Sequence, residues 1–342
     1  MITVLSTIVV FLVIIMFHEF GHFIAAKSLG VTVHEFAIGF GPTIWKKQGK
    51  ETLYSVRLLP IGGFCKMEGE DEDSESEGAL NKKPVWKRLI IISAGALVNI
   101  LLGLVIFFTI FMQTPQQLTL EIATVTEGSP AQEVLQTGDV IRAINGRKVH
   151  YYKDFKFILS NEASGPVTIE VERGGERKQF HITPQYDAEN QSYIIGVMLG
   201  SKTLTFFEKL KYCFYETFFV IRLVIYSFIM LFTGKVPISE MSGPVGASSI
   251  IGTAAKTNWL SLFNIFAVLS INIGIFNLIP FPALDGGRLF FLLVELIRRK
   301  PIPAEKEGYV HFVGLIILFG LMLFITYSDI VKLISPLFQK GG

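Results

Sequence analysis

Four long apolar segments restrict what this chain can fold into more than any other feature of its sequence. They cover residues 2–26, 89–112, 260–281 and 309–327, and apart from one motif in the first segment they are almost free of charge. Each is long enough to cross a hydrocarbon core of about 30 Å as a helix. Residues 116–200, in contrast, have the composition of a soluble domain. The sequence therefore predicts a multi-pass α-helical membrane protein with four transmembrane helices and a polar insert between the second and third.

The first apolar segment carries ionisable side chains at a spacing that suits metal binding. His18 and His22 are four residues apart, so on a helix both imidazoles leave the same face, and Glu19 lies beside them. This His-Glu-x-x-His pattern is typical of zinc peptidases, in which the glutamate acts on a water molecule at the metal. A pair of structural histidines is the alternative. Ionisable groups inside hydrocarbon are costly and need partners, which favours the metal site.

A second motif, near the C-terminus, supplies a carboxylate. Residues 277–288 read Asn-Leu-Ile-Pro-Phe-Pro-Ala-Leu-Asp-Gly-Gly-Arg. Pro280 and Pro282 disfavour helix at the residues before them, so we expect the chain to unwind here. Irregular backbone at membrane depth is tolerated only where protein or a water-filled cavity satisfies it. Asp285 then qualifies as the third protein ligand of a zinc ion with one position left for water, whereas a surface turn is the alternative.

Residues 32–66, between the first two spans, predict a β-hairpin. Gly-Phe-Gly-Pro at residues 39–42 precedes an alternating run at 52–58, and alternation bounded by Gly and Pro is typical of strands. An unpaired strand edge can hydrogen-bond an extended peptide, whereas a plain cytoplasmic hairpin is the alternative. The acidic run that follows, at residues 68–77, repels itself and is predicted to form a solvated loop without a catalytic role.

The insert at residues 116–200 resembles one PDZ domain, an α/β fold, of the bacterial type. Gly-Ser-Pro-Ala at residues 128–131 predicts a turn that opens a short helix, and Asn145-Gly146 predicts a tight hairpin turn. A helix and two strands are expected at residues 153–160, 166–171 and 178–183. PDZ domains bind peptide ends by strand addition, so peptide C-termini are candidate partners. A plug that only excludes intact substrates is the alternative.

Charge distribution predicts how the chain is oriented in the membrane. Basic residues cluster in the loops after the first and third spans, at Lys46, Lys47, Lys50, Lys82, Lys83, Lys87, Arg88, Arg298, Arg299 and Lys300. The positive-inside rule makes these loops cytoplasmic. The insert is then extracytoplasmic, and the metal motif lies near the cytoplasmic side.

Residues 204–232 are apolar enough to suggest a further span, although five charged residues interrupt them. A further crossing would put Asp285 at the opposite face of the membrane from the histidines. We therefore expect residues 201–258 to form an interfacial amphipathic segment. The predicted organisation is an N-terminal membrane half at 1–112, the PDZ domain at 116–200, the interfacial segment at 201–258 and a C-terminal membrane half at 259–342.

The two metal-ligand motifs and the insert between them together resemble the site-2 protease family, and most of all its RseP-type members. The resemblance covers essentially the whole chain. It implies an intramembrane zinc metalloprotease in which Zn²⁺ is bound by His18, His22 and Asp285. It further implies that Glu19 is the general base and that Asn277 faces the reacting peptide. It also implies that residues 32–66 form a re-entrant, membrane-associated β-hairpin beside the active site. The substrate contacts that we assign on this basis are Gly39, Phe40, Gly41, Asn277 and Pro280.

The second span departs from the family pattern at one position. Family members commonly carry Ala-Gly-Pro before an asparagine, whereas this chain reads Ala-Gly-Ala at residues 94–96 before Asn99. The resemblance therefore does not predict the geometry of the helix at Ala96, whereas the expected chemistry of the site is unchanged. Asn99 either bridges helices or touches substrate.

The activity implied by the resemblance is cleavage of transmembrane segments in single-pass membrane proteins, such as anti-sigma factors or remnant signal peptides. The expected location is the bacterial inner membrane, with those substrates and the lipid bilayer as partners. No basic stripe suggests a nucleic-acid partner, and Cys65 and Cys213 lack metal-ligand spacing and are predicted to be free thiols. Two other classes compete. CAAX-processing or HtpX-like membrane zincins use a glutamate as third ligand and lack the insert, and a PDZ membrane scaffold would be non-catalytic.

Overall fold

The computed structural model describes residues 1–70, 72, 74–162, 165–188 and 192–339. Its α-helices are α1 (Ile2–Ser28), α2 (Val85–Gln113), α3 (Tyr152–Glu162), α4 (Phe206–Phe232), α5 (Pro244–Thr257), α6 (Trp259–Leu278), α7 (Asp285–Arg298) and α8 (Ala304–Gln339). Its strands are β1 (Val33–Gln48), β2 (Leu53–Met67), β3 (Gln116–Val125), β4 (Val140–Ile144), β5 (Arg147–Lys148), β6 (Val167–Arg173), β7 (Glu176–Ile182), β8 (Gln185–Asp187), β9 (Ser192–Ile194) and β10 (Val197–Thr203).

The chain divides into two compact units. One contains Met1–Phe107 together with the chain from Val220 onward, and the other contains Phe108–Phe219. Within the described residues, five helices are long and apolar enough to span a membrane, namely α1, α2, α4, α6 and most of α8. Four of them coincide with the predicted spans, and α4 is the fifth. The membrane class of the protein is therefore confirmed, while the number of crossings stays a prediction.

The hairpin expected between the first two spans is present. β1 and β2 pair antiparallel, and the first half of β1 lies between two stretches of β2, because Phe36 is in register with both Tyr54 and Cys65. Gly39 and Gly41 lie inside β1, not in a turn, and their φ angles are 88° and 84°. Glycine adopts positive φ at little cost, so these two residues bend the strand where its register shifts.

The second unit contains an antiparallel sheet with the strand order β10-β3-β4-β6-β7, and β5 pairs with β4. The expected helix is α3, and the two expected strands are β6 and β7, which form a hairpin. The core of this unit consists of apolar side chains from the sheet and from α3, among them Ile122, Ile141, Phe155 and Ile169. The described part of the insert thus has a hydrophobic core of its own.

Residues 128–131 form the predicted turn, but further turns follow them up to residue 134 in place of the expected short helix. The N–H group of Ala131 donates to the carbonyl of Ile195 at 3.0 Å and not to a helical neighbour. This long-range bond ties the segment to the chain beside β9 and β10. Pro130 therefore begins a turn here.

α4 makes a polar contact in one unit and an aromatic contact in the other. Within the second unit, the carboxylate of Glu216 is buried and accepts hydrogen bonds from the Tyr151 hydroxyl at 2.9 Å and from the Lys153 ammonium. Within the first unit, the Phe228 ring lies 4.6 Å from that of Phe276, near the end of α6. The prediction of an interfacial segment for this region included neither contact.

Candidate metal centre

The two histidines of the His-Glu-x-x-His motif are buried on one face of α1. Their Nε2 atoms lie 3.2 Å apart. Asp285 Oδ2 lies 3.1 Å from His18 Nε2 and 3.3 Å from His22 Nε2. The structure therefore brings the three predicted ligands together, and their donor atoms all lie within 4.8 Å of one another.

The carboxylate reaches this point because the chain unwinds between α6 and α7. Helix α6 ends at Leu278 and α7 begins at Asp285, so the break predicted from Pro280 and Pro282 is confirmed. Gly286 allows the chain to fold back tightly, since a Cβ atom there would lie 2.0 Å from the Ile279 carbonyl oxygen. The loop is also anchored from α8.

That anchor is His311, whose Nδ1 accepts a hydrogen bond from the Ala283 N–H at 2.9 Å. Ala283 has a φ of 76°, a conformation that non-glycine residues rarely adopt. Local sequence does not favour this backbone. The contact from His311 of α8 thus supports the loop that leads to Asp285.

Contacts from α2 orient both imidazole rings. His22 Nδ1 lies 2.9 Å from the Ile91 carbonyl and donates to it, which leaves Nε2 free to bind a metal. His18 Nδ1 lies 3.4 Å from Asn99 Nδ2, and Asn99 Oδ1 is buried without a hydrogen-bond partner among the described residues. Turning the amide by 180° lets Oδ1 accept from His18 Nδ1–H and leaves Nε2 free there too.

Asn99 also bridges helices. It is fully buried on α2, where its side chain lies beside His18 of α1 and its backbone carbonyl accepts a hydrogen bond from the Ser270 hydroxyl of α6 at 2.7 Å. Of the two roles considered for Asn99, the geometry therefore supports the bridge. α2 runs unbroken through Ala96, so the missing proline does not disturb the helix.

The donor set fits a zinc ion. Two neutral imidazoles and one carboxylate are ligands of catalytic zinc sites, which keep a further position open. Asp285 Oδ2 is buried and has no hydrogen-bond partner among the described residues. Such an atom is expected where the natural partner is a cation, because an unpaired buried carboxylate oxygen is costly.

Glycines allow the helices around the site to approach closely. A Cβ atom on Gly21 would lie 2.5 Å from the Ala94 carbonyl oxygen, and one on Gly274 would lie 2.8 Å from that of Ala96. On Gly95 it would lie 2.3 Å from His22 Nε2. Small residues serve this purpose in membrane helix packing, where close backbone contact replaces the hydrophobic effect.

A cavity of about 420 Å³ opens beside the ligands. Its lining consists of His18, Glu19, His22, Phe64, Cys65, Lys66, Met67, Glu70, Ile92, Asp285 and Arg288. The end of β2 therefore forms one wall. Glu19 lies against that wall, since a Cβ atom on Gly63 would be 3.6 Å from Glu19 Cγ. Glu19, the three predicted ligands and the end of a strand therefore line one cavity.

The residues predicted to contact the substrate do not line this cavity. Phe40 stacks on Phe64 of the cavity wall, with ring centroids 6.3 Å apart. Gly39, Gly41 and Pro280 are absent from the described lining of the cavity. The Asn277 amide donates to the Ile273 carbonyl one turn earlier in α6, at 3.0 Å. The roles assigned to these residues stay predictions.

Several residues around the site were not singled out by the sequence. Glu70 belongs to the acidic run at residues 68–77, and Arg288 ends the Leu-Asp-Gly-Gly-Arg segment. The two form an ion pair at 2.6 Å. His311 and Gly95 gave only weak signals, as a histidine and a glycine within apolar helices. The free thiols are as predicted, because Cys65 and Cys213 are both unbridged and buried.

A candidate metal site beside a glutamate, among long apolar helices, is typical of metal-dependent membrane peptidases. Residues 6–321 match the model of peptidase family M50. The chain belongs to this family, which comprises the site-2 proteases. Its function is that of an intramembrane zinc metalloprotease acting in regulated intramembrane proteolysis. Membership of a peptidase family does not fit a non-catalytic PDZ scaffold, and the match to family M50 over residues 6–321 favours the site-2 proteases over the CAAX-type zincins.

Two relatives illustrate the similarity. A protein of Clostridium acetobutylicum whose name describes a zinc metalloprotease is 36% identical over 332 residues, covering 96% of this chain and 97% of its own. The regulator of sigma-W protease RasP of Bacillus subtilis is 30% identical over 417 residues, covering 97% and 99%. Among solved structures, the PDZ domain of an SdrC-like protein of Listeria monocytogenes is 23% identical, covers 24% of this chain and 88% of its own, and has a TM-score of 0.23.

Proposed function

We propose that this protein hydrolyses peptide bonds inside the transmembrane segments of single-pass membrane proteins, with His18, His22 and Asp285 as zinc ligands and Glu19 as general base. The convergence of the three ligands on one point is the observation that carries this proposal. The ligands lie on α1 and at the start of α7, and Glu19 shares their cavity.

The residues of the cavity account for the chemistry in outline. Zinc, when bound, supplies a Lewis acid that makes water acidic and polarises the scissile carbonyl group. The Glu19 carboxylate takes the proton of the attacking water and returns it to the leaving amide nitrogen. The Asn277 amide is proposed to donate to the developing oxyanion through the second N–H of Nδ2, since only one N–H is used in its bond to the Ile273 carbonyl.

The scissile segment is proposed to bind as a strand added to the end of β2. A peptide bond inside a helix must be exposed by opening the helix, and an extended peptide can pair with a strand edge. Residues 64–67 of β2 line the cavity, which supports this stretch as the pairing edge. Gly39, Phe40, Gly41 and Pro280 are proposed to shape the approach to it, with Phe40 acting through Phe64.

The proposed setting is the bacterial inner membrane, with the catalytic site near the cytoplasmic side and the insert outside. The positive-inside rule supports this orientation. The name of the B. subtilis relative refers to sigma-W regulation, which supports anti-sigma factors as substrates, with remnant signal peptides as a second group. The PDZ-like insert is proposed to take peptide C-termini by strand addition, or to exclude bulky substrates.

Two substitutions test the proposed roles. Glu19→Gln should keep zinc but abolish cleavage of a single-pass model substrate, because the ligands remain and the base is lost. Asp285→Ala should lower both zinc content and cleavage, since two histidines hold the ion poorly. Zinc content by mass spectrometry and cleavage by gel shift are measured on purified full-length protein.

Two results would contradict the assignment. If Glu19→Gln lost zinc together with activity, Glu19 would be a ligand. If Asp285→Ala kept full zinc occupancy at limiting metal, the third ligand would lie elsewhere. Glu35 is an unsuitable substitute, because its carboxylate is engaged by Ser55 and Arg57 at 2.6 Å and 2.7 Å.

A further inference from the structure

A partly buried ion pair joins the helix of the third ligand to the end of the β-hairpin. Arg288 lies three residues after Asp285, one turn further along α7. Its Nη1 lies 2.6 Å from Glu70 Oε1, and the two side chains are 26% and 22% exposed. Such a pair is shielded from solvent and is therefore screened less than a surface ion pair.

Glu70 is itself tied to the strand that forms the cavity wall. Its other carboxylate oxygen, Oε2, accepts from the Met67 N–H at the end of β2, at 3.4 Å. Met67 and the three residues before it line the cavity beside the metal ligands. The pair thus connects the wall where an extended peptide would bind to the helix that begins with the third ligand.

Asp285 borders two cavities and its side chain is 22% exposed, so close packing does not surround it completely. Asp285 lines the cavity of about 420 Å³ beside the histidines and also a second cavity, of about 530 Å³, next to α8. Glu70 and Arg288 line both cavities. Where packing leaves room, ligand geometry depends on charged and hydrogen-bonded neighbours.

A second ion pair holds the other end of α7. Glu295 lies seven residues after Arg288, and its carboxylate pairs with the Arg88 guanidinium of α2; the side chains are 13% and 15% exposed. This pair is comparably shielded but is ten residues from Asp285 along the chain. It is therefore a matched comparison for effects that come from loosening the helix in general.

We propose that Glu70 and Arg288 are positioning residues that hold Asp285 in the geometry zinc requires, with Arg288 acting on the ligand through the first turn of α7 and Glu70 fixing Arg288 to the hairpin. The proposal rests on the proposed function only in taking Asp285 as a zinc ligand. It adds a link between the substrate-binding wall and the metal site.

Zinc affinity of the full-length protein in detergent tests this link directly. The protein is stripped with a chelator, and its zinc dissociation constant is measured by competition with a fluorescent chelator. Arg288→Gln and Glu70→Gln should each weaken zinc binding about tenfold or more, the loss expected when a neighbour that orients a ligand is removed. Exchanging the two charges, in the double variant Glu70→Arg with Arg288→Glu, should restore most of the affinity.

Glu295→Gln is the control. It should lower the melting temperature at least as much as Arg288→Gln does. Its zinc affinity should stay within about threefold of the parent, because it disturbs α7 away from the ligand. Equal zinc loss in Glu295→Gln would mean that general loosening of α7 is responsible. Unchanged affinity in Arg288→Gln, or no rescue in the exchanged pair, would also overturn the proposal. Asp285→Ala is measured alongside, and only its failure to lose zinc would count against the proposed function itself.

Discussion

At the scale of single residues, the proposed metal site requires a residue without a side chain at Gly95 as well as its ligands. Gly95 of α2 faces His22, and the imidazole occupies the space that a Cβ atom would take. Sequence patterns do not reveal such a position, because glycine is common in membrane helices for several reasons. The contact is visible only once α1 and α2 are packed.

Gly95→Ala should therefore impair the metal site. The added methyl group would lie 2.3 Å from His22 Nε2, and both helices are held by further close backbone contacts, so the ring must move. We expect zinc affinity to fall about tenfold or more, with cleavage falling in parallel. Competition with a fluorescent chelator measures the affinity.

Gly320→Ala on α8 is the matched control for Gly95→Ala. A Cβ atom at Gly320 meets no described atom within 4 Å, so zinc affinity and cleavage should match those of the parent. Unchanged zinc binding in Gly95→Ala would show that the ring can shift without losing the metal, and would remove Gly95 from the site.

At the scale of secondary-structure elements, α5 depends on a partner distant in sequence. α5 begins after Gly243 without a side-chain cap of its own. Asp329 of α8 takes over this role, because its Oδ2 accepts from the N–H groups of Gly243 and Gly246 at 3.0 Å and 2.7 Å. Asp329 is only 4% exposed, so few waters can replace these bonds. α5 in turn packs on α1 through Ile251, Val10 and Ile14.

Asp329→Ala should destabilise the protein by about 1–2 kcal/mol, the usual cost of losing a helix cap. Asp329→Asn keeps an acceptor oxygen and should cost less. Thermal unfolding of the zinc-loaded protein in detergent compares the two variants. Equal melting temperatures for the parent and Asp329→Ala would mean that water replaces the cap, and that the contact does not stabilise α5.

At the scale of the whole molecule, most of the insert belongs to a different compact unit from the proposed zinc ligands. The three ligands and Glu19 all belong to the unit that excludes residues 108–219. The two ends of the insert are also close together, because Gln116 is paired with Thr203 across β3 and β10. A short linker can therefore replace the residues between them.

Deleting residues 116–200 should leave proteolysis intact but less selective. If the insert acts as a size filter on the outer side, the deletion variant should cut substrates with a large external domain that the intact protein leaves alone. Cleavage of paired substrates with a short and a bulky external tail measures this, and the deletion combined with Glu19→Gln controls for contaminating proteases. A folded, zinc-loaded deletion variant that cuts neither substrate would make the insert part of the catalytic unit.

The local parts of the site can be predicted from short stretches of sequence. The spacing of His18 and His22 acts within one helix turn, and the prolines before Asp285 act on the adjacent residues, so both could be read without the fold. The hairpin and the strands of the insert followed from alternation and turn residues for the same reason. Each of these inferences needed only neighbours in the chain.

The groups that reach the site from distant parts of the chain become apparent only in the folded structure. Glu70 and Arg288 are 218 residues apart, and Asn99 reaches His18 from another helix 81 residues away. The bend of β1 at Gly39 and Gly41, and the wall formed by the end of β2, depend on strand pairing beyond the local sequence. Such contacts arise when separate elements pack together, and the energy of that packing is not encoded in any short segment.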